Sequence, residues 1–218
     1  MSNRPSSPVY KQRRGQESRE ALLNAATELF SGNGFEATSL RRIASDAGVS
    51  FQVIAYHFGS KLELWLAVVN RLWDAAFVNL GRAAVRGPDD DPRRALLRSI
   101  HSGLTWNSRE PHLRRIFTHE FLSRSDRYHE FLLPKLREFV RLAQYRVSAV
   151  TEKAGITELT TTEILLLYRS FLVCNALTPD EFEMTSGLDS ASDEFIQMEL
   201  NLLSRLIFGS APADSDFI

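Results

Sequence analysis

Apolar residues recur three and four positions apart along nearly the whole chain. Nowhere do they alternate with polar ones as a half-buried strand requires. Ala21, Leu22, Ala25, Leu29 and Phe30 form one stripe. It predicts a first helix that opens at Ser18 and is stopped by Gly32 and Gly34. Thr38-Ser39 opens a short second helix with Ile43, Ala44 and Ala47 inward, and Gly48 ends it. Ser50 is the expected cap of a third helix over 51–58. Ser60, with Glu63 three residues on, has the spacing of a capping box and starts a long fourth helix over 61–85. Further helices are predicted over 95–107, 111–122, 128–154, 160–177 and 191–208. A loop at 87–92 and a turn at 123–126 separate some of them. Pro134 is expected to bend the 128–154 helix, and Gly155 to end it. The fold class is all-α, with about nine helices and no internal repeat.

Composition narrows the class. The chain has 218 residues, 44% hydrophobic and 24% charged, enough for one large or two modest domains with a core of their own. A single cysteine, Cys174, cannot form an internal disulfide or a cysteine-based zinc site. Its neighbours Phe171-Leu-Val and Ala176-Leu predict a buried, inert thiol. No apolar run reaches membrane-spanning length, and the first 16 residues are polar and basic rather than an apolar leader. Together these predict a cytoplasmic protein with no membrane partner.

Charge is unevenly placed. Residues 1–61 hold eight Lys/Arg against five Asp/Glu, whereas the last 41 residues hold one basic residue, Arg205, against nine acidic ones. A basic head on an acidic body suits a polyanion at the head, although so small an excess also arises by chance. Residues 1–16, rich in Ser, Pro and Arg, read as a flexible arm. Its Arg4, Lys11, Arg13 and Arg14 would either lie along DNA or stay in solvent.

The second and third helices, joined by Ala47-Gly48-Val49-Ser50, have helix-turn-helix spacing. With Ile54 at the centre of the buried face, about 100° per residue puts Phe58 beside it and Gln52 and Tyr56 opposite. Phe51 and His57 flank the buried face, and Val53 and Ala55 lie at its margins. Gln can pair with an adenine edge in a bidentate way, and a Tyr hydroxyl usually goes to phosphate.

The run at 22–64 resembles the amino-terminal domain of the TetR family of bacterial transcription regulators. The matching pieces are Leu29-Phe30, Gly34-Phe35, Thr38-Ser39, Ile43-Ala44, Ala47-Gly48-Val49-Ser50, Tyr56-x-Phe58 and Lys61. The stretch Leu113 to Leu122 also resembles, more weakly, one subgroup of that family. The third helix departs from many members, which carry Gly-Thr-Leu-Tyr where this chain has Gln52-Val53-Ile54-Ala55. The resemblance implies that Ser39, Arg41 and Ser50 approach phosphate or a base. It implies that Phe51, Gln52, Val53 and Tyr56 face the groove, and that His57 and Lys61 contact phosphate. Two of these have an equally plain structural reading, since Phe51 would also pack beside Ile54 and His57 would also pack between helices.

The resemblance further implies a division into an arm (1–16), a DNA-binding head (17–60), a larger carboxy-terminal bundle (61–210) and a tail (211–218). The bundle would bind a small-molecule effector and dimerise through about 160–208, where apolar residues occupy several faces of the last two helices. The implied function is a ligand-responsive regulator, a repressor released from double-stranded operator DNA. The alternative for the bundle is a dimerisation scaffold without an inducer. Pocket candidates are Trp65, Trp73, Phe77, His101, Trp106, Phe117, His119, Glu120, Phe121, Tyr168 and Arg169. Ordinary core or surface placement is the competing reading of each. His101, His112, His119 and Glu120 lack metal-ligand spacing, so no metal or other cofactor is expected. Nor does the chain carry a phosphate-cradling loop or nucleophile elbow. The pair His119-Glu120 is its one acid–base candidate, and no enzymatic activity is expected.

Overall fold

The computed structural model describes residues 8–83, 91–154 and 159–212. Among the described residues the chain is helical, with no strand. The order is α1 (Pro8–Ala37), α2 (Leu40–Asp46), α3 (Phe51–His57), α4 (Lys61–Ala83), α5 (Pro92–Arg109), α6 (His112–Leu122), a π-helical turn (Tyr128–Leu132), α7 (Leu133–Ala154), α8 (Thr161–Leu177), α9 (Pro179–Ser186) and α10 (Asp193–Phe208). That all-α architecture agrees with the sequence pattern. Among the described residues, no helix is long and apolar enough to cross a membrane.

Several local expectations are revised. α1 begins at Pro8, so the part of the expected arm after residue 7 is helical. Proline suits a first helical turn. Gln, Lys, Arg and Glu propagate a helix that is already anchored downstream, and Arg13 and Glu17 pair one turn apart at 3.1 Å. Ser18 is therefore not a cap: its hydroxyl donates back to the Arg14 carbonyl. Gly32 lies inside α1, and the break comes at Gly34 (φ 76°, ψ 173°), a conformation that excludes most side chains. An added Cβ there would also sit 3.2 Å from His119 Nδ1. Arg4, the Lys11 side chain, residues 84–90, Gly155 and residues 213–218 lie outside the described residues.

Pro134 acts one turn upstream of itself. Its missing N–H cannot serve the carbonyl four residues back, and the preceding turn opens to π spacing, with Leu133 N–H reaching the Tyr128 carbonyl. α9 was not apparent from hydrophobic periodicity. It is short and polar, and its start is marked by Pro179 and by Asp180 and Glu181 in the first turn. Phe182 anchors it, 5.5 Å from the Phe195 ring.

Two apolar clusters form the interior. The first takes Leu22, Ala26 and Phe30 of α1, Ile43 and Ala44 of α2, and Ile54 of α3. It continues without a break through Leu64, Trp65, Val68, Leu72 and Trp73 of α4 to Leu113 and Ile116 of α6. The second joins Leu97, Ile100 and Leu104 of α5 to Ile164 of α8 and Ile196, Leu200 and Leu203 of α10. Packing therefore does not divide at residue 60. α4 and α6 share a core with the first three helices, which lets a shift of either be felt at α3.

Candidate nucleic-acid interface

α2 and α3 are short, and each is held from below. Ser39 caps α2 by accepting the Arg42 N–H at 3.1 Å, which leaves its hydroxyl proton free to donate outward. The turn to α3 needs a left-handed residue, supplied by Gly48 at φ 66°. Ile54 and Phe58 bury the inner face of α3. Ser50 holds the N-cap position with extended backbone but makes no side-chain cap bond, so the expected cap is positional only. At α4, Ser60 accepts the Glu63 N–H at 3.1 Å.

The outer face of α3 carries Phe51, Gln52, Ala55 and Tyr56. Tyr56 is 83% exposed and Phe51 47%, far more than packing asks of large aromatic rings. Val53 is half-buried and touches the first core cluster. His57 is half-buried, 4.9 Å edge-on from the Tyr56 ring. Burial, with help from Arg19, holds its imidazolium below the ordinary range, so near pH 7 the ring offers an N–H rather than a charge. Arg41 is exposed. Its neighbour Arg42 is turned to Asp46 at 2.8 Å.

Lys61 opens α4 at the edge of this surface, and its surroundings were not foreseen. Its ammonium donates to the Glu36 carbonyl at 3.3 Å and lies 4.4 Å over the Phe35 ring. Burial depresses its pKa, the Glu36 charge opposes that, and the nearby Arg127 adds to it. Arg127 lies 3.8 Å over the same ring and pairs with Glu36 at 3.0 Å. Sequence spacing gives no hint of this contact, because Arg127 is 91 residues from Glu36 and sits in a turn.

The eleven pocket candidates do not converge. Trp73, Phe77 and Phe117 meet: Trp73 lies 5.4 Å from Phe77 and 5.8 Å from Phe117. Phe139, which hydrophobic spacing did not single out, closes the group at 6.1 Å from Trp73. Trp65 is fully buried against Phe35 and Phe131, beneath the head. Trp106 lines a solvent-open cleft of about 860 Å³ between α1, α4 and the α5–α6 turn, together with Asn24, Glu28, Arg71 and His112. Tyr168 lies by Arg114, whose guanidinium burial pushes down to about 10. His101 is half-buried near Asp193 and Arg109, and burial lowers its pKa. The His119 ring turns to α1, where Nε2 donates to the Ser31 carbonyl at 3.1 Å. Glu120 is buried and bonded to Ser125 and Arg127. Phe121 is exposed and edge-on to Tyr128 at 5.5 Å, and Arg169 is exposed.

The expected burial of Cys174 is corrected. The thiol is exposed: the side of α8 that meets the second cluster carries Ile164, Leu167, Tyr168, Phe171 and Leu172, and Cys174 lies outside it. Its apolar neighbours extend around the helix, and Leu166 is exposed as well.

Residues 22–68 match the profile "Bacterial regulatory proteins, tetR family". The HTH-type transcriptional activator FasR of Mycolicibacterium smegmatis is 45% identical over 83 residues, 38% of this chain and 35% of that protein. The HTH-type transcriptional regulator RutR of Escherichia coli is 35% identical over 105 residues, 48% of each. The aligned stretches thus span less than half of these relatives. A bacterial regulatory protein of the tetR family from Rhodococcus RHA1 shares the fold, with TM-score 0.70 at 18% identity over 90% of this chain and 98% of that one. Residues 22–68 of the chain thus form an amino-terminal domain of the tetR family of bacterial regulatory proteins.

Proposed function

We propose that the chain is a cytoplasmic, homodimeric, ligand-responsive regulator that binds double-stranded operator DNA through α3 and is released from it by a small molecule. The observation that carries this reading is the outer face of α3: Gln52 and Tyr56 stand in solvent while Ile54 and Phe58 are buried beneath them. Gln52 reads a base edge. Tyr56, Ser39, Ser50, Arg41 and Lys61 fix the register on phosphates. Phe51 makes apolar contact, Val53 braces the helix from its margin, and His57 donates an N–H.

Dimerisation through about 160–208 is supported by α10. Its buried side holds Phe195, Leu200 and Leu203, yet Met198, Leu202 and Leu206 are exposed on the other. With Leu166 of α8 they make an apolar surface that a second copy covers by two-fold symmetry. The arrangement would place two copies of α3 about 34–36 Å apart, one DNA turn, or further apart on a longer operator. The effector is assigned to the bundle, where Trp73, Phe77 and Phe117 meet in the apolar setting that small-molecule sites favour.

Selection from a random duplex pool with the purified chain tests the reading. Enrichment of a two-fold symmetric sequence is expected. Recovery of DNA without any sequence preference would overturn it.

A further inference from the structure

The family match ends at residue 68, yet the residue that shares Phe35 and Glu36 with Lys61 comes from beyond it. Arg127 stands at the junction of α6 and the π-helical turn. One side of its guanidinium faces the bundle: Nε donates to the Glu120 carboxylate at 3.0 Å, and that carboxylate also accepts from Ser125. Glu120 is almost fully buried and Arg127 mostly so, so this pair is a fixed part of the bundle. The other side faces the head. It pairs with exposed Glu36 at 3.0 Å and stacks on Phe35 at 3.8 Å.

Phe35 and Glu36 form the segment between the Gly34 break and the α2 cap. Inside the head the Phe35 ring lies 5.8 Å from Phe30 and 6.1 Å from Trp65, whereas the Glu36 side chain is exposed. Thr38 fastens its end, donating to the Leu29 and Gly34 carbonyls, and Lys61 bonds its Glu36 carbonyl. Two cations over one ring repel each other. They share it because Glu36 serves both, with its carboxylate for Arg127 and its carbonyl for Lys61. Taking Arg127 away removes the ion pair of Glu36 and one face of the Phe35 stack, the ties from the bundle to the α1–α2 connection.

We propose that Arg127 is a positioning residue for the DNA-reading head: anchored in the bundle by Glu120, it sets the α1–α2 connection and Lys61 through Glu36 and Phe35. The inference rests on reading α3 as the DNA-contacting helix. It adds a route between bundle and head that does not run along α4. A change at the α6–α7 junction acts on the head through one side chain. Only a difference in this contact between two arrangements of the protein can shift DNA affinity.

The test uses the full chain and a duplex selected by it. Arg127→Gln is expected to weaken binding about tenfold and to lower the salt slope by up to about one unit as Lys61 loses its place. Arg127→Lys, which keeps the charge, should recover part of the loss. Because Arg127→Gln leaves Glu120 buried without its partner, Glu36→Gln is the cleaner variant. It breaks the exposed branch and leaves the Glu120 pair intact, and about threefold weaker binding is expected with an unchanged unfolding midpoint. Amide hydrogen exchange without DNA should quicken at 36–61 in both variants and stay unchanged in α5, α8 and α10. Glu36→Gln and Arg127→Gln both binding within about twofold of wild type, or faster exchange spread evenly through the bundle, would overturn the proposal. A wild-type chain that selects no DNA defeats the functional reading instead, and the exchange arm then decides whether the contact holds the head.

Discussion

α3 and the aromatic group around Trp73 are built from similar residues and used in opposite ways. On α3 the large rings leave the protein: Tyr56 and Phe51 are exposed while the aliphatic Ile54 is buried. Around Trp73 the rings meet one another, with Phe77, Phe117 and Phe139 all within 6.1 Å. An exposed ring forgoes the free energy that burying its apolar surface would bring. A ring among rings is already repaid by packing. The head thus carries rings on its surface, whereas the bundle's aromatic residues hold the fold.

The strongest way to break that contrast is to cut one ring from each region. Trp73→Ala should cost about 3–5 kcal/mol of stability, read from urea midpoints. Tyr56→Ala should stay within about 0.5 kcal/mol in the same measurement and yet weaken DNA binding. Equal stability losses would show that Tyr56 packs after all. Next in size is Gln52→Ala, expected to cost about 1–3 kcal/mol of discrimination at one base position. Competition between matched and mismatched duplexes measures it, and a loss shared by all sequences would move Gln52 to the phosphates. Lys61→Ala should lower the slope of log affinity against log salt by about one unit, a smaller change.

How much of this was legible follows from where each residue's partners lie. α2, the turn at Gly48 and the inward Ile54 are fixed by neighbours within a few residues, so local spacing places them. Exposure of Gln52 and Tyr56 follows from the same helical wheel. The Arg127 contact joins a turn to the end of α1 across 91 positions, and no periodicity encodes it. The bundle candidates failed to converge for a related reason. Aromatic residues at helical spacing mark a buried face without saying which other helix it meets, so Trp65 lies under the head while Trp106 lines an open cleft. Cys174 misled because apolar neighbours were taken as burial, on a helix whose apolar residues also face outward.

The smallest expected effect separates the regions by pH. Burial holds His101 below its ordinary pKa of 6.5; Asp193 opposes this and Arg109 adds to it. As pH falls through 6.5 the unfolded chain therefore takes up the proton first. The stability tied to neutral His101 is whole above that pH and is lost below it, toward the depressed folded value. Urea midpoints for His101→Gln should fall less than those of wild type between pH 7 and about pH 5.5. A steeper fall in the variant would reverse the sign of the argument.

The central claim is that the outer face of α3 reads DNA sequence. Its most direct test is to repeat the random-pool selection with the Gln52→Ala, Tyr56→Ala double variant beside wild type, at one salt concentration and with dimer mass checked for both. The account predicts that wild type enriches a two-fold symmetric site, and that the folded double variant loses preference at the positions Gln52 reads. Enrichment of the same site, with the same preference at every position, would contradict it.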